Sequence, residues 1–139
     1  MRMHSLFAKD VVTAGPGDTL AQVAKILEQH NVGAIVVTEQ QKPVGIVTDR
    51  DLALAVCVQG ISPAEPVRRV MHSPVATLRQ SQGVFEATRQ MKELAVRRLP
   101  VVDDDGKLVG LVSLDDLLLL LTSELGNLAV GVRGEMVET

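Results

Sequence analysis

The sequence comprises 139 residues with a formal net charge of −3 and 46% hydrophobic residues, enough for one compact domain with an apolar core. It contains two Phe and no Trp or Tyr, so the core must be aliphatic. Proteins that bind nucleic acid need a clustered basic surface and, for single strands, aromatic side chains that stack on bases. The composition therefore predicts no nucleic-acid partner.

Neither an export signal nor a membrane segment is predicted. The N-terminus lacks the charged start and apolar run of a signal peptide. The leucine run at residues 117–121 is far shorter than the ~20 residues that span a bilayer. The single Cys57 excludes an intrachain disulfide and suits a reducing compartment. We therefore expect a cytoplasmic protein that does not enter a membrane.

The first half of the chain predicts the element order β-α-β-β-α. Apolar periodicity and turn residues place a strand at Val11-Val12-Thr13, a helix capped by Asp18 or Thr19, a strand at residues 34–37, a hairpin loop at residues 39–43, a strand at residues 44–47 and a helix from Thr48 or Asp49 to Val58. The first helix should end near Asn31, because Gly33 follows. Gly60 should end the second.

The second half predicts the same order after a linker at residues 61–74, where three prolines prevent a continuous helix. The elements are a strand at Val75-Ala76-Thr77, a helix with Val84, Ala87, Met91 and Leu94 inward, a strand at residues 99–102, a turn at residues 103–106, a strand at residues 108–112 and a helix from Leu114. The predicted limits are residues 7–60 for repeat 1, 75–125 for repeat 2 and 126–139 for a tail that is weakly ordered or docked on a partner.

The two halves are one repeated unit. Thr13 and Thr77 are 64 positions apart, whereas Asp51 and Asp116 are 65 apart, so one residue is inserted between them, near Gly106. Repeated units that cannot close a core alone usually stack on one another. We therefore expect the two repeats to pack into one domain.

Each repeat contains the pattern Gly-h-h-Thr/Ser-x-x-Asp, where h is apolar. Residues 45–51 read Gly-Ile-Val-Thr-Asp-Arg-Asp, and residues 110–116 read Gly-Leu-Val-Ser-Leu-Asp-Asp. With the segments at residues 70–74 and 98–103, these motifs resemble a tandem pair of CBS domains over about residues 7–125. The resemblance implies an α+β fold of two β-α-β-β-α repeats with pseudo-twofold symmetry, two clefts between the repeats, a disc-like homodimer and adenosine-containing ligands.

The chemistry of the motif follows from its geometry. A strand that ends in Thr48 or Ser113 and turns into a helix presents backbone N–H groups, the helix dipole and a hydroxyl together, which suits an anion. Asp51 or Asp116 lies one helical turn further on and suits a ribose diol. The alternative is that both hydroxyls are plain helix caps followed by acidic first turns.

The resemblance assigns two unlike ligand sites. The better site would use Ser113 and Asp116, with Arg97 and Arg98 at the phosphate and Thr13 and the backbone around Ala14 at the base. The second would use Thr48, Asp51 and Thr77, with charge from Arg50, since Gly33 and Ala34 stand where the arginines are in the other repeat. We expect one competent phosphate site at most. The alternative for the two arginines is a solvated rim.

No catalytic or metal site is predicted. His4, His30 and His72 are far apart in sequence and form no ligand spacing, and Cys57 has no neighbouring histidine. We therefore expect no enzyme and no required cofactor. The predicted function is a stand-alone sensor whose candidate ligands are AMP, ADP, ATP, NAD and S-adenosylmethionine, with an unidentified protein target. The alternative is a ligand-free scaffold that uses the fold for dimerisation.

The run Leu117 to Leu121 predicts assembly. It leaves the helix without a polar face for more than one turn, so the helix should be covered on more than one side. We expect a homodimer through the helices that begin at Thr48 and Ser113. Packing within the subunit is the alternative.

Overall fold

The structure is a computed structural model that describes residues 11–138, with side chains described to residue 131. The elements are β1 (Thr13–Ala14), α1 (Leu20–His30), β2 (Ala34–Glu39), β3 (Lys42–Thr48), α2 (Asp49–Cys57), a short 3-10 helix (Val67–Arg69), β4 (Leu78–Arg79), α3 (Val84–Leu94), β5 (Arg98–Val102), β6 (Leu108–Ser113) and α4 (Leu114–Glu138). The predicted α+β class and the doubled β-α-β-β-α order are confirmed. The predicted start of repeat 1, at residue 7, lies outside the described residues.

Each repeat contains one three-stranded sheet, in the orders β1-β2-β3 and β4-β5-β6. The first two strands of each sheet are parallel and the last two form an antiparallel hairpin. Thr38 pairs with Pro43 in the first hairpin and Val102 with Leu108 in the second, so the second turn is one residue longer. The insertion predicted near Gly106 is therefore in this turn.

The first hairpin turn is tighter than predicted. Gln40 and Gln41 both have positive φ angles, 51° and 68°, and Glu39 already pairs with Lys42. Two such residues form a two-residue turn that matches the twist of the flanking strands. The predicted loop at residues 39–43 is therefore too long, and Pro43 lies within β3, an edge strand of the sheet, where a proline is tolerated.

The segment at residues 61–74 is bound to repeat 1. Thr19 is the N-cap of α1, as predicted, and its hydroxyl accepts from the N–H of Gln22. The first helical N–H groups, of Leu20 and Ala21, donate to the linker carbonyls of Glu65 and Pro63, both at 3.0 Å. These bonds satisfy donors that every helix start leaves open. The segment therefore acts as a strap across the N-terminus of α1.

Each repeat encloses its own apolar core. The buried cluster of repeat 1 includes Ile35, Val37 and Val47 from the sheet, with Val67 from the linker strap. The cluster of repeat 2 consists of Leu78, Val84, Ala87, Met91, Leu99, Val101, Val112 and Leu117. In each repeat, two helices packed on the three-stranded sheet bury these side chains. The repeats meet instead along their hairpins, where the N–H of Leu108 donates to the carbonyl of Gln41 at 2.8 Å.

One expectation for the helices of repeat 2 is wrong. Leu94 is 46% exposed rather than inward, because α3 ends there and Ala95 turns into the left-handed conformation as the C-cap. The helix α4 continues from Leu114 to Glu138, through the segment predicted as a tail that is weakly ordered or docked on a partner. Isolated glycines such as Gly126 and Gly131 weaken a helix without ending it. Within residues 11–138, no helix has the length and apolarity needed to cross a membrane.

Candidate functional site

A cleft of about 260 Å³ lies between the repeats, and we call it the first cleft. Repeat 1 contributes Val11, Val12, Val32, Gly33 and Ala34, and repeat 2 contributes Arg98, Leu111, Ser113, Asp115 and Asp116. The first cleft therefore has an apolar wall from one repeat and a polar wall from the other. It brings together three residues of the better predicted site, Arg98, Ser113 and Asp116.

The polar wall is the capped N-terminus of α4. The Ser113 hydroxyl accepts from the N–H of Asp116 at 3.1 Å, and the Asp116 Oδ2 accepts from the N–H of Ser113 at 3.4 Å. The N–H of Leu114 donates to the carbonyl of Arg97 at 2.7 Å. Ser113 and Asp116 thus form the hydrogen bonds of a plain helix cap. These bonds use several of the groups that were predicted to bind an anion.

Four groups on this wall remain available to a ligand. Among the described residues, the N–H of Asp115, the Oδ1 of Asp116 and the guanidinium of Arg98 have no hydrogen-bond partner. The Ser113 hydroxyl accepts in the cap but keeps its own proton to donate. The polar wall therefore offers three donors and one carboxylate acceptor to the same space.

The two arginines have different positions. Arg98 lies over Gly33, where an added Cβ would be 4.0 Å from the Arg98 Nη2 and 3.6 Å from the Asp49 Oδ2. Arg97 instead pairs with Asp115, with 3.5 Å between Nη2 and Oδ1, in an exposed ion pair. The solvated-rim alternative therefore describes Arg97, whereas Arg98 lines the first cleft.

Thr13 and Ala14 do not line the first cleft. Ala14 belongs to the core of repeat 1, and Thr13 lines a neighbouring crevice of about 200 Å³ with Thr38 and Leu108. The residues that line the first cleft just before β1 are Val11 and Val12, which the sequence analysis assigned only to a strand. The two spaces share Val11. The sequence signal for a role of these valines in the first cleft is their apolar character immediately before the strand.

The second predicted site is not assembled as expected. Thr48 and Asp51 form a tight capping box, with 2.9 Å from the Thr48 N–H to the Asp51 Oδ2 and 3.1 Å from the Asp51 N–H to the Thr48 Oγ1. The N–H of Arg50 donates to the Asp49 Oδ1 at 2.7 Å. Thr77 lines a separate polar cavity of about 590 Å³ with Arg79 and Gln90. Thr77 and the capping box of α2 therefore do not line one cavity.

His72 is a site residue that the sequence analysis missed. Its Nε2 is 3.1 Å from the Asp51 Oδ1, so both carboxylate oxygens of Asp51 are engaged. The side chain of Asp51 is 19% exposed and that of His72 69%, so the imidazole lies on the outer side of the carboxylate. The 21 positions between the two residues hide this contact in the sequence.

The surroundings of Asp51 shift its titration. Burial raises the pKa of the Asp51 carboxyl, but the hydrogen bonds from the Thr48 backbone and from His72 outweigh burial and lower the pKa below its usual value. A carboxylate with a lowered pKa in the folded state stabilises the fold above its unfolded pKa. This stabilisation is lost as the pH falls through the folded-state value.

We expect Asp51→Asn to lower the free energy of unfolding by about 1 kcal/mol at pH 7, because the amide keeps the cap acceptor but loses the charge. The difference from wild type should shrink as the pH falls below the usual carboxyl pKa and through the lower folded-state pKa of Asp51, because the carboxylate then becomes protonated. Urea unfolding at pH 3, 5 and 7 measures it. Asp116→Asn is the matched control and should change stability less, because its cap bond is long. A difference that is constant with pH would contradict this account of Asp51.

Within the described residues, no group of His, Cys, Asp and Glu side chains could hold a metal ion. Cys57 is a free, exposed thiol. The first cleft presents hydrogen-bonding groups, charged side chains and apolar surface.

Comparison with known proteins adds independent information. The sequence model of the CBS domain matches residues 4–57 and 67–123. An uncharacterized protein of Methanopyrus kandleri is 41% identical over 112 residues, which cover 79% of this chain but only 57% of that relative. The CBS domain pair of protein MJ0100, in complex with 5′-methylthioadenosine and S-adenosyl-L-methionine, has a TM-score of 0.79 at 26% identity, covering 89% of this chain and 98% of that chain. A CBS domain protein from Pyrobaculum aerophilum complexed with AMP has a TM-score of 0.77 at 29% identity, and the match covers 88% of this chain and 99% of that chain.

Proposed function

Because this chain belongs to the CBS-domain family, we propose that it is a regulatory sensor, not an enzyme, that binds an adenosine-containing small molecule in the first cleft. The observation that carries the proposal is the set of unpaired groups described above, which converge on a cleft with an apolar wall. A few polar groups aimed into an apolar concavity are typical of small-molecule sites. The adenosine-containing ligands of the two similar structures support the same class.

Each part of such a ligand has a matching wall. The Asp116 Oδ1 accepts from a ribose hydroxyl, as an acidic residue does in dinucleotide-binding folds. The Ser113 hydroxyl, the N–H of Asp115 and Arg98 donate to a phosphate at the start of α4, where the helix dipole also favours negative charge. The base packs against aliphatic side chains such as Val11 and Val12, since no aromatic residue from the described part of the chain lines the cleft.

Size and charge narrow the ligand class. Ligand pockets are roughly 300–1,000 Å³, and a first cleft of about 260 Å³ suits one nucleoside or mononucleotide better than a dinucleotide such as NAD. Around the cleft the described aspartates, Asp49, Asp115 and Asp116, outnumber the two arginines. A polyphosphate would therefore meet net repulsion. Adenosine, 5′-methylthioadenosine, S-adenosylmethionine and AMP are the preferred candidates over ADP, ATP and NAD.

A thermal-shift panel of these compounds tests the proposal. A ligand present at 100 times its dissociation constant stabilises the folded state by about 2.7 kcal/mol, which raises the melting temperature by several degrees. Gly33→Val is a control that narrows the first cleft without removing a polar group, and it should abolish the shift. A panel in which no compound stabilises the wild type would refute ligand binding.

Replacing Arg98 with Gln should weaken AMP about tenfold and change adenosine less than about threefold, because only AMP presents a phosphate to the guanidinium. Arg97→Gln is the matched control with a smaller expected effect, since Arg97 is held by Asp115. Calorimetric titrations at two salt concentrations measure both variants, and salt should weaken AMP binding by the wild type. Equal losses for AMP and adenosine would mean that Arg98 only shapes the rim.

A ligand-free scaffold is the second candidate function. It is favoured by the exposed apolar side chains of α4, Leu118, Leu119, Leu125 and Leu128, which are 52% to 68% exposed. Large exposed apolar patches mark interaction surfaces. The same thermal-shift panel separates the candidates, because a scaffold is not stabilised by an adenosine compound. Binding to a protein target is compatible with both candidate functions.

A further inference from the structure

The two helices that follow the Gly-h-h-Thr/Ser motif differ at their N-termini. In α2 the first backbone N–H groups and the Asp51 carboxylate have internal partners: the N–H of Asp49 donates to the Gly33 carbonyl, that of Arg50 to the Asp49 carboxylate, and Asp51 uses both oxygens. In α4, within the described residues, the N–H of Asp115 and the Asp116 Oδ1 are free. The asymmetry between the clefts is thus one of hydrogen bonding as well as of arginines.

His72 makes the decisive contact on α2. An ionised carboxylate only accepts hydrogen bonds, so the Nε2 of His72 donates to the Asp51 Oδ1. This is the oxygen whose counterpart on Asp116 is free for a ribose hydroxyl. The repeat offset of 64 matches His72 with Ala8, which lies outside the described residues and whose side chain has no polar atom. At this matched position the sequence therefore provides such a donor in one repeat only.

The backbone holds His72 in this place. His72 and Ile46 exchange two hydrogen bonds, of 2.9 Å from the His72 N–H and 3.2 Å from the Ile46 N–H. The preceding Met71 lies so close to Gly45 that a Cβ on that glycine would be 2.5 Å from the Met71 sulfur. The strap is thus paired with β3, and the imidazole needs no further ordering of the backbone to reach Asp51.

We propose that His72 occupies the ribose-binding position on Asp51, in the second predicted site, and thereby limits the protein to one adenosyl ligand per chain. A ligand that used Asp51 would first have to break a hydrogen bond to a charged group, which lowers affinity about tenfold or more. This proposal depends on the proposed adenosine-binding function in one respect, the chemical nature of the ligand. It makes His72 a specificity-determining residue rather than a structural one.

Calorimetric titration with adenosine at neutral pH tests the proposal by stoichiometry. Wild type should bind one adenosine per chain, whereas His72→Ala should bind two, the additional one at Asp51. His72→Gln is the matched control, since its amide can donate to the same oxygen, and it should remain at one. In the Asp116→Ala background, adding His72→Ala should restore one site per chain.

The outcomes separate this proposal from the proposed function. If wild type binds one adenosine and a folded His72→Ala variant also binds one, His72 does not occupy the ribose-binding position on Asp51. Ligand binding in the first cleft is then still supported. If wild type binds none and His72→Ala binds one, the first-cleft function fails and the role of His72 stands. If neither binds, both fail. Circular dichroism and melting curves check folding, and His72→Ser replaces the alanine variant should that aggregate.

Discussion

Replacing Asp116 with Ala is expected to weaken the binding of adenosine and AMP strongly while leaving the fold intact. The substitution removes the free Oδ1 acceptor in the first cleft and, with it, a hydrogen bond to a charged group that contributes about 1.5–3 kcal/mol. That loss corresponds to a fall in affinity of about 10- to 150-fold. The cost in stability should be small, because the Asp116 cap bond is long, at 3.4 Å. Calorimetry measures the affinity, and a melting curve measures the stability.

Asp51→Ala is the matched control, because Asp51 holds the same position in the other repeat. Its carboxylate is engaged by Thr48 and His72, so the variant should lose stability and keep its affinity for adenosine. We therefore expect Asp116→Ala to lose affinity and keep its stability, and Asp51→Ala to lose stability and keep its affinity. Unchanged affinity in Asp116→Ala, or equal losses of affinity in both, would remove Asp116 from the ribose position.

Features that depend on neighbouring residues were predictable from the sequence. Thr19 and Thr48 cap helices because a short hydroxyl side chain can reach an N–H two or three residues ahead. Asn31 ends α1 because it tolerates the left-handed conformation, with φ of 51°. The repeat offset even locates the inserted residue in the second hairpin turn. The caps rest on contacts within about four positions of the chain, and the insertion follows from comparing the two copies of the repeat.

The composition of the clefts was only partly predictable, because it depends on contacts across the fold. The alternation of side chains along a strand decides whether Val12 or Thr13 faces the first cleft, and periodicity does not fix which face that is. Arg97 and Arg98 are separated by the same alternation. His72 reaches Asp51 because the strap pairs with β3, a bridge between segments 26 positions apart that the sequence does not reveal.

The α4 helix presents two distinct apolar sides. Leu117 is 1% exposed in the core of repeat 2, and Leu120 packs against the same core. A second stripe is formed by Leu118, Leu121, Leu125 and Leu128, which are 37% to 67% exposed. Its spacings of three, four and three residues repeat the pattern by which helices pair in coiled coils. Packing within the subunit therefore accounts for only one side of the leucine run.

A second copy of this chain is the partner that we expect to cover the stripe. A twofold dimer is the commonest oligomer, because one patch then serves both subunits. The helix α2, which occupies the same position in repeat 1, also exposes an apolar side chain, Leu54 at 41%, and its C-cap Val58 is 74% exposed. Both helices that begin at the motif thus present apolar surface, as the expected homodimer requires.

Replacing Leu118 or Leu121 with Glu should convert the dimer to a monomer or to insoluble protein, because each places a charge within the apolar seam. Leu119→Glu is the matched control: Leu119 is 68% exposed but lies on the other side of α4, so this variant should remain dimeric. Light scattering at micromolar concentration measures the mass of all three. A charge should therefore disrupt the dimer only when it is placed on the side of α4 that carries the stripe. A monomeric wild type, or a Leu119→Glu variant that dissociates like the others, would refute assembly through the stripe.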